Sequence, residues 1–118
     1  MKRFTMKDGA KDLREDGRIV LAHGEVTGHC HEVVAAQSGI GDDVPAAQFF
    51  EEPDGRRVLL VSRRCQLVHQ EHGTITLDPA TPAQVRQGDV LLNPIGKGAW
   101  EVVRQVEYSP AEIRQVAD

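Results

Sequence analysis

Short runs of alternating apolar and polar residues, most of them closed by glycine or proline, constrain the fold of this chain most strongly. The run at 18–23 places Ile19 and Leu21 on one face, and HEVVAA at 31–36 is a second run of this kind. Later runs are TITLDP, GDVLLNP and AWEVVRQVEY. Because a period of two is that of a strand, we predict a mainly β fold, either a small β-barrel or a β-sandwich.

The turn residues predict how some of these strands connect. Pro53-Asp54-Gly55 joins QFFEE to RRVLLVS and favours a hairpin. We expect the second of these strands to continue through Cys65 and Leu67, and we interpret ATPAQVRQ as a polar connection.

The two ends of the chain differ in pattern. Ser109-Pro110-Ala111-Glu112 has the spacing of a capping box with proline at the first helical position, which predicts a short C-terminal helix from Pro110 to Val116. Residues 1–16 are polar, and we expect them to be loosely ordered. No interior linker divides the sequence, so 1–118 is predicted to form a single β-rich domain.

Composition excludes several classes of partner. The chain has 118 residues and a formal net charge of −4, which argues against a nucleic-acid partner because phosphate backbones demand a basic surface. No apolar run approaches the roughly 18 residues that cross a bilayer, and the polar start lacks the apolar centre of a secretory signal. We therefore predict no membrane partner and a cytoplasmic location.

The histidines carry the clearest chemical signal. All five lie in two short segments, HGEVTGHCH with His23, His29 and His31, and HQEH with His69 and His72. In a strand the two imidazoles of an H-x-H share a face, whereas the cysteine between them points away. We therefore predict a metal site formed by His29, His31, His69 and His72.

The second segment adds an acidic group. Glu71 shares strand parity with His69, and a turn permitted by Gly73 would bring His72 to the same side. Glu71 is then a further ligand, or a catalytic base that acts on metal-bound water. Zinc suits such ligands best, with iron or manganese as alternatives.

Three residues near these segments stand apart from the predicted ligands. His23 is either a further ligand or a core or rim histidine, because it follows the register of Ile19 and Leu21. Cys30 and Cys65 are expected to be buried, inert thiols, although Cys65 shares parity with His69 and would fit a mixed Cys/His site.

The segments GRIVLAHGEVTGHCH, HQEHGTITL and VVRQVEYSPAEIRQVAD resemble a group of small uncharacterised bacterial and phage proteins with the motifs GEVTGH-x-H, H-E-E-H and QREY-x-P. The matching positions in this chain are His29, His31, His69, Glu71, His72, Gln105, Glu107 and Tyr108. Val106 replaces the arginine of the third motif, and Gln70 replaces the first glutamate of the second. The segment Gly88–Pro94, which lies near the N-terminus in those proteins, comes late here, so their strand order need not transfer.

A looser resemblance is to the cupins, β-barrels in which an H-x-H, a glutamate and a later histidine hold one metal. His29 and His31 fit the first of these elements, but no histidine follows GDVLLNP, where a cupin would place one. The resemblance implies a cupin-like architecture and a similar arrangement of ligands.

Three functions are compatible with these patterns. The first is a metal-binding β-domain whose ion is structural or sensory, and the second is a metalloenzyme of the hydrolase, isomerase or oxygenase type with Glu71 as base. The third is a phage-derived, oligomeric structural or adaptor protein in which the histidines are incidental. We place metal binding first and expect a homo-oligomer. The sequence identifies no small-molecule substrate.

Overall fold

The computed structural model describes residues 4–15, 18–23, 29–35 and 46–104, which form ten β-strands. Their bounds are β1 Lys11–Asp12, β2 Ile19–His23, β3 Cys30–Ala35, β4 Ala47–Glu51, β5 Arg57–Val61, β6 Cys65–Val68, β7 Ile75–Leu77, β8 Val85–Gln87, β9 Val90–Gly96 and β10 Ala99–Arg104. They pair into a six-stranded sheet of order β1-β4-β5-β10-β9-β8 and a four-stranded sheet of order β2-β3-β6-β7. Every pairing between them is antiparallel.

The predicted mainly β fold is confirmed. No helix occurs in the described residues, and the two sheets do not close into a barrel there, so the barrel alternative does not describe this part of the chain. The predicted helix from Pro110 to Val116 lies outside the described residues. A membrane-spanning helix must be long and apolar, and the described residues contain none of that kind.

One hydrophobic core fills the space between the sheets. The four-stranded sheet contributes Ile19, Leu21, Val33, Leu67 and Leu77, among others, and the six-stranded sheet contributes residues of β4, β5, β9 and β10. The latter are chiefly Phe49, Leu59, Val61, Val90, Leu92, Trp100 and Val102. Along these strands, successive side chains therefore point alternately into this core and to the outer face, as the sequence pattern predicts.

The strand after the predicted hairpin is shorter than expected. The hairpin itself is present, with Gly55 at a φ of 93° in the turn, where a left-handed backbone favours glycine. The chain does not run on through Cys65, however, because a break at 62–64 moves it from the six-stranded sheet into β6 of the other. The Sγ atom of Cys65 lies 3.1 Å from the carbonyl oxygen of Arg63, and burial raises the pKa of this thiol.

The segment interpreted as a polar connection contains a strand. Val85, Arg86 and Gln87 form β8, in which Gln87 is buried although its side chain is polar. A three-residue segment with one apolar side chain is too short to show the alternation that predicts a strand. A two-residue connection, Gly88-Asp89, then leads directly into β9.

An irregularity in β2 is held by the opposite sheet. Val20 pairs with Glu32 and Ala22 with His31, so Leu21 is the extra residue of a β-bulge. The guanidinium of Arg57, on β5, donates a hydrogen bond of 2.8 Å to the carbonyl oxygen of Leu21. The bulge carbonyl thus finds a partner outside the strand ladder.

A buried carboxylate ties the N-terminal residues to the hairpin. The side chain of Glu52 is fully buried, forms an ion pair with Arg56, and accepts a hydrogen bond of 2.9 Å from the backbone N–H of Lys7. Hydrogen bonding from Arg56, followed by that from Lys7, lowers the pKa of Glu52 despite its burial. This carboxylate is therefore charged and bonded inside the fold.

Candidate functional site

Four imidazole rings meet at one end of the gap between the sheets, and we call His29, His31, His69 and His72 the histidine cluster. Because Val33 pairs with Leu67, the antiparallel register sets position 31 opposite position 69 on the inward face. The ring centroids of His31 and His69 lie 4.3 Å apart, and those of His69 and His72 lie 4.6 Å apart. His29 is 6.0 Å from His69 by the same measure.

His31 is the buried member of the cluster. Only 2% of the residue is exposed, and both of its ring nitrogens contact oxygen acceptors from the opposite sheet. Nδ1 lies 2.8 Å from Oε1 of Gln87, and Nε2 lies 3.1 Å from Oδ1 of Asp89. The ring is therefore held at both nitrogens by oxygen atoms at hydrogen-bond distance.

The orientation of the Gln87 amide is fixed by its other contacts. Its Nε2 donates hydrogen bonds of 3.0 Å to the carbonyl of Leu67 and 2.9 Å to the carbonyl of Gly73. Turning the amide over would place an oxygen against these two carbonyls, so Oε1 must face His31. One side chain of β8 therefore connects the end of β6, the turn after it, and β3.

Asp89 also forms an ion pair with Arg104. The Nε atom of Arg104 donates a hydrogen bond of 2.7 Å to its Oδ2, while its Oδ1 faces His31. Burial alone would raise the pKa of Asp89, but the hydrogen bond and charge of Arg104, with the hydrogen bond from His31, outweigh burial and lower it. Asp89 is therefore a carboxylate that accepts on both oxygens.

The other three histidines are held more loosely. His69 Nδ1 accepts a hydrogen bond of 3.0 Å from the backbone N–H of Glu71, in an exposed turn. Burial first, and then the charges of His31 and His72, lower the pKa of His69, which favours the neutral ring that metal binding requires. His29 Nδ1 lies 3.3 Å from a carboxylate oxygen of Glu71, whose side chain is 61% exposed.

His72 reaches the cluster through a turn rather than through a strand. Because β6 ends at Val68, the parity argument does not extend to Glu71, and the turn directs the ring of His72 back to 5.9 Å from that of His31. There it packs on Gly88, where a Cβ atom would lie 2.6 Å from Nε2 of His72. The connection between β8 and β9 thus forms the floor under this ring.

A cleft of about 250 Å³ adjoins the cluster on its outer side. Its lining residues are Cys30, Glu32, Val68, His69 and Gln70. His69 is the cluster member that lines it, so the cleft is an approach for water or a small solute to this ring.

The remaining candidates from the sequence lie elsewhere. His23 is exposed and pairs with Glu15 at 3.0 Å, on the edge strand β2. Cys30 occupies the outer face, where its Sγ lies 3.9 Å from Nη2 of Arg18, and Cys65 lies in the core. The positions Gln105, Glu107 and Tyr108 are outside the described residues.

In the part of the chain that the structure describes, no group of three or more His, Cys, Asp or Glu side chains is arranged to hold a metal ion. The rings are gathered, but their nitrogens do not converge. The sequence also gave no indication of Gln87, Gly88 and Asp89 as site residues. There the sequence shows only the run GDVLLNP, which predicts a strand and not the support of a histidine.

Comparison with known proteins gives a family and no function. Residues 3–81 match the domain of unknown function DUF8820, more than half of the 118 residues, and include the whole histidine cluster. No curated protein and no solved structure matches the chain. The family is itself uncharacterised, in keeping with the resemblance noted in the sequence. The chain belongs to the DUF8820 family of domains of unknown function.

Proposed function

We propose that this protein is a metal-binding β-domain and that the histidine cluster binds one divalent transition-metal ion. The observation that carries the proposal is the meeting of two histidine segments that lie about 40 residues apart in the sequence, since the second segment begins 38 residues after His31. The H-x-H pair, which cupins also use to hold a metal, supports the same ligand chemistry.

The ring spacing suits a metal site. Zn–N bonds of about 2.0–2.1 Å place the centroids of ligating imidazoles about 5 Å apart in a tetrahedral arrangement. The four measured separations in the cluster, 4.3, 4.6, 5.9 and 6.0 Å, lie on both sides of this value. Rotation of the rings, without movement of the strands, would then direct nitrogens to a common point.

Such rotations are available to three members. His72 is exposed, and His29 and His69 are only partly buried, so their rings change rotamer at small cost. The contact of His69 with the backbone of Glu71 is local and exposed, and water replaces it when the ring turns. Metal binding supplies far more free energy than these contacts lose.

Imidazole ligands favour zinc, with iron as an alternative and manganese as a weaker one. Zinc imposes no geometry of its own and accepts the ligands that the protein presents. We therefore expect zinc to bind more tightly than iron or manganese.

The test is metal content and binding of the chelator-free protein. Wild type should bind about one Zn²⁺ per chain in calorimetric titration, and a double variant, His29→Ala with His69→Ala, should lose this binding. His23→Ala is the matched control, because His23 pairs with Glu15 outside the cluster. Absence of binding in the wild type, or equal binding in the double variant, would refute the proposal.

A second candidate function is catalysis at the same ion. Glu71 supports this function because its carboxylate lies 3.3 Å from Nδ1 of His29 and its side chain is exposed. A base that acts on metal-bound water must lie beside the ion and be accessible to water. Glu71→Gln should then abolish hydrolysis of an activated ester by the zinc-loaded protein while zinc affinity stays within about threefold. Unchanged hydrolysis in this variant would exclude Glu71 as the base.

A further inference from the structure

We propose that His31 is a positioning residue and not a ligand, so that the ion is held by His29, His69 and His72 with a coordination position open to water or a small anion. This inference rests on the proposed metal binding. It divides the histidine cluster into one fixed ring and three adjustable ones.

Both nitrogens of the fixed ring lie within hydrogen-bond distance of oxygen atoms. Its two partners are oxygen acceptors from the other sheet, separated from His31 in sequence by 56 and 58 residues. Gln87 cannot turn away, because the same amide holds the carbonyls of Leu67 and Gly73. Asp89 is held in turn by Arg104. Ligation by His31 would therefore break a buried hydrogen bond and leave its partner unsatisfied.

Two of the other rings pack against His31. His69 and His72 lie 4.3 and 5.9 Å from it, the latter nearly parallel at 14°, so the ring of His31 limits where theirs can turn. A side chain that is anchored through hydrogen bonds and orients metal ligands by contact is a common support of metal sites. His31 has this role through packing.

A zinc ion with three protein ligands differs in chemistry from one with four. A closed four-ligand zinc shell is structural, whereas three histidines leave a position for an exchangeable ligand. His69 lines a cleft of about 250 Å³, through which solvent contacts its ring. The expected fourth ligand is water or hydroxide, replaceable by a small anion such as azide.

The first test uses the wild-type protein with ¹⁵N-labelled histidine. Long-range ¹H–¹⁵N spectra recorded before and after one equivalent of Zn²⁺ should show a metal-bound nitrogen in His29, His69 and His72, with His31 unchanged. A metal-bound nitrogen in His31 would overturn the assignment while the proposed function stands. No bound nitrogen in any histidine would overturn both.

A second test uses Co²⁺ as a spectroscopic substitute. His31→Gln should bind Co²⁺ with an affinity within about tenfold of wild type and keep its absorption spectrum, whereas His72→Gln should lose about 100-fold or more. Azide should shift the spectrum of both wild type and His31→Gln. If His31→Gln does not fold, the ¹H–¹⁵N spectra of the wild type decide the assignment, and a metal-bound nitrogen in His31 would overturn it. Absence of an azide shift in the wild type would overturn the open position.

Discussion

The amide oxygen of Gln87 lies 2.8 Å from Nδ1 of His31, across the gap between the two sheets. Replacement of Gln87 by leucine removes this acceptor and both donor contacts, to Leu67 and Gly73. Because these groups remain buried or partly buried without partners, we expect Gln87→Leu to lower the free energy of unfolding by about 2–4 kcal/mol. Denaturant unfolding, followed through the buried Trp100, measures the change.

The matched control for this prediction is Gln84→Leu. Gln84 is an exposed neighbour on the approach to β8, and it donates to Asn93 at the surface. We expect it to change stability by less than about 0.5 kcal/mol. Similar losses in the two leucine variants would show that the Gln87 contacts contribute nothing particular.

Gly88 and Gly55 form a pair of positions that separates backbone strain from contact with the site. Both have positive φ, 59° and 93°, so alanine at either one should cost about 1 kcal/mol in stability. At Gly55 a Cβ meets nothing within 4 Å, whereas at Gly88 it meets the ring of His72. Calorimetry should show at least about tenfold weaker Zn²⁺ binding in Gly88→Ala and no change in Gly55→Ala. Equal affinities would remove Gly88 from the site.

Glu52 should give stability a defined pH dependence. Its pKa is lowered by Arg56 and Lys7, so its contribution is complete above the usual glutamate value of about 4.3 and is lost as pH falls through the lowered value. At pH 7 we expect Glu52→Gln to cost about 2–3 kcal/mol, because a buried, charge-assisted pair is broken. The difference from wild type should shrink below pH 4 in urea unfolding. Glu51→Gln, one residue earlier and less buried, serves as control. A difference independent of pH would contradict the charged state of Glu52.

Cys65 should be protected from thiol reagents in the native state. Burial raises its pKa, which keeps the thiol protonated, and its side chain is closed off in the core. In a Cys30→Ser variant, which leaves one thiol, we expect alkylation by iodoacetamide at pH 7.5 to be at least about 100-fold slower than in 6 M guanidinium. Mass spectrometry of timed samples measures the two rates. Comparable rates would place Cys65 at the surface.

The sequence allowed most strands to be predicted where apolar residues alternate over five or more positions, as in β2, β3 and β10. It did not reveal β1 and β8, because two or three residues with few apolar side chains carry no measurable period. The break at 62–64 was also missed. A strand that changes sheet keeps its alternation, and only the packing of the second sheet reveals the change.

Part of the candidate site could also be predicted from the sequence, and part could not. Strand parity predicts a shared face for His29 and His31; His31 lies in β3, and His29 lies one residue before that strand. The anchors Gln87 and Asp89 come from the opposite sheet, and which residues meet across a core depends on sheet packing, which a local pattern does not contain. For the same reason, the sequence predicted four equivalent histidine ligands. In the structure His31 differs from the others, because both of its ring nitrogens contact oxygen atoms of the opposite sheet.

The bulge at Leu21 has a consequence for how copies of this protein meet at high concentration. β2 is an edge of the described four-stranded sheet, and a regular edge offers a row of free carbonyls and amides to a strand of another molecule. Here one carbonyl is already bonded to Arg57 of the opposite sheet, and the bulge breaks the regular spacing beside it. The hydrogen-bonding groups of an incoming strand would not match the spacing of those along this edge. The bulge therefore disfavours open-ended β-aggregation along β2.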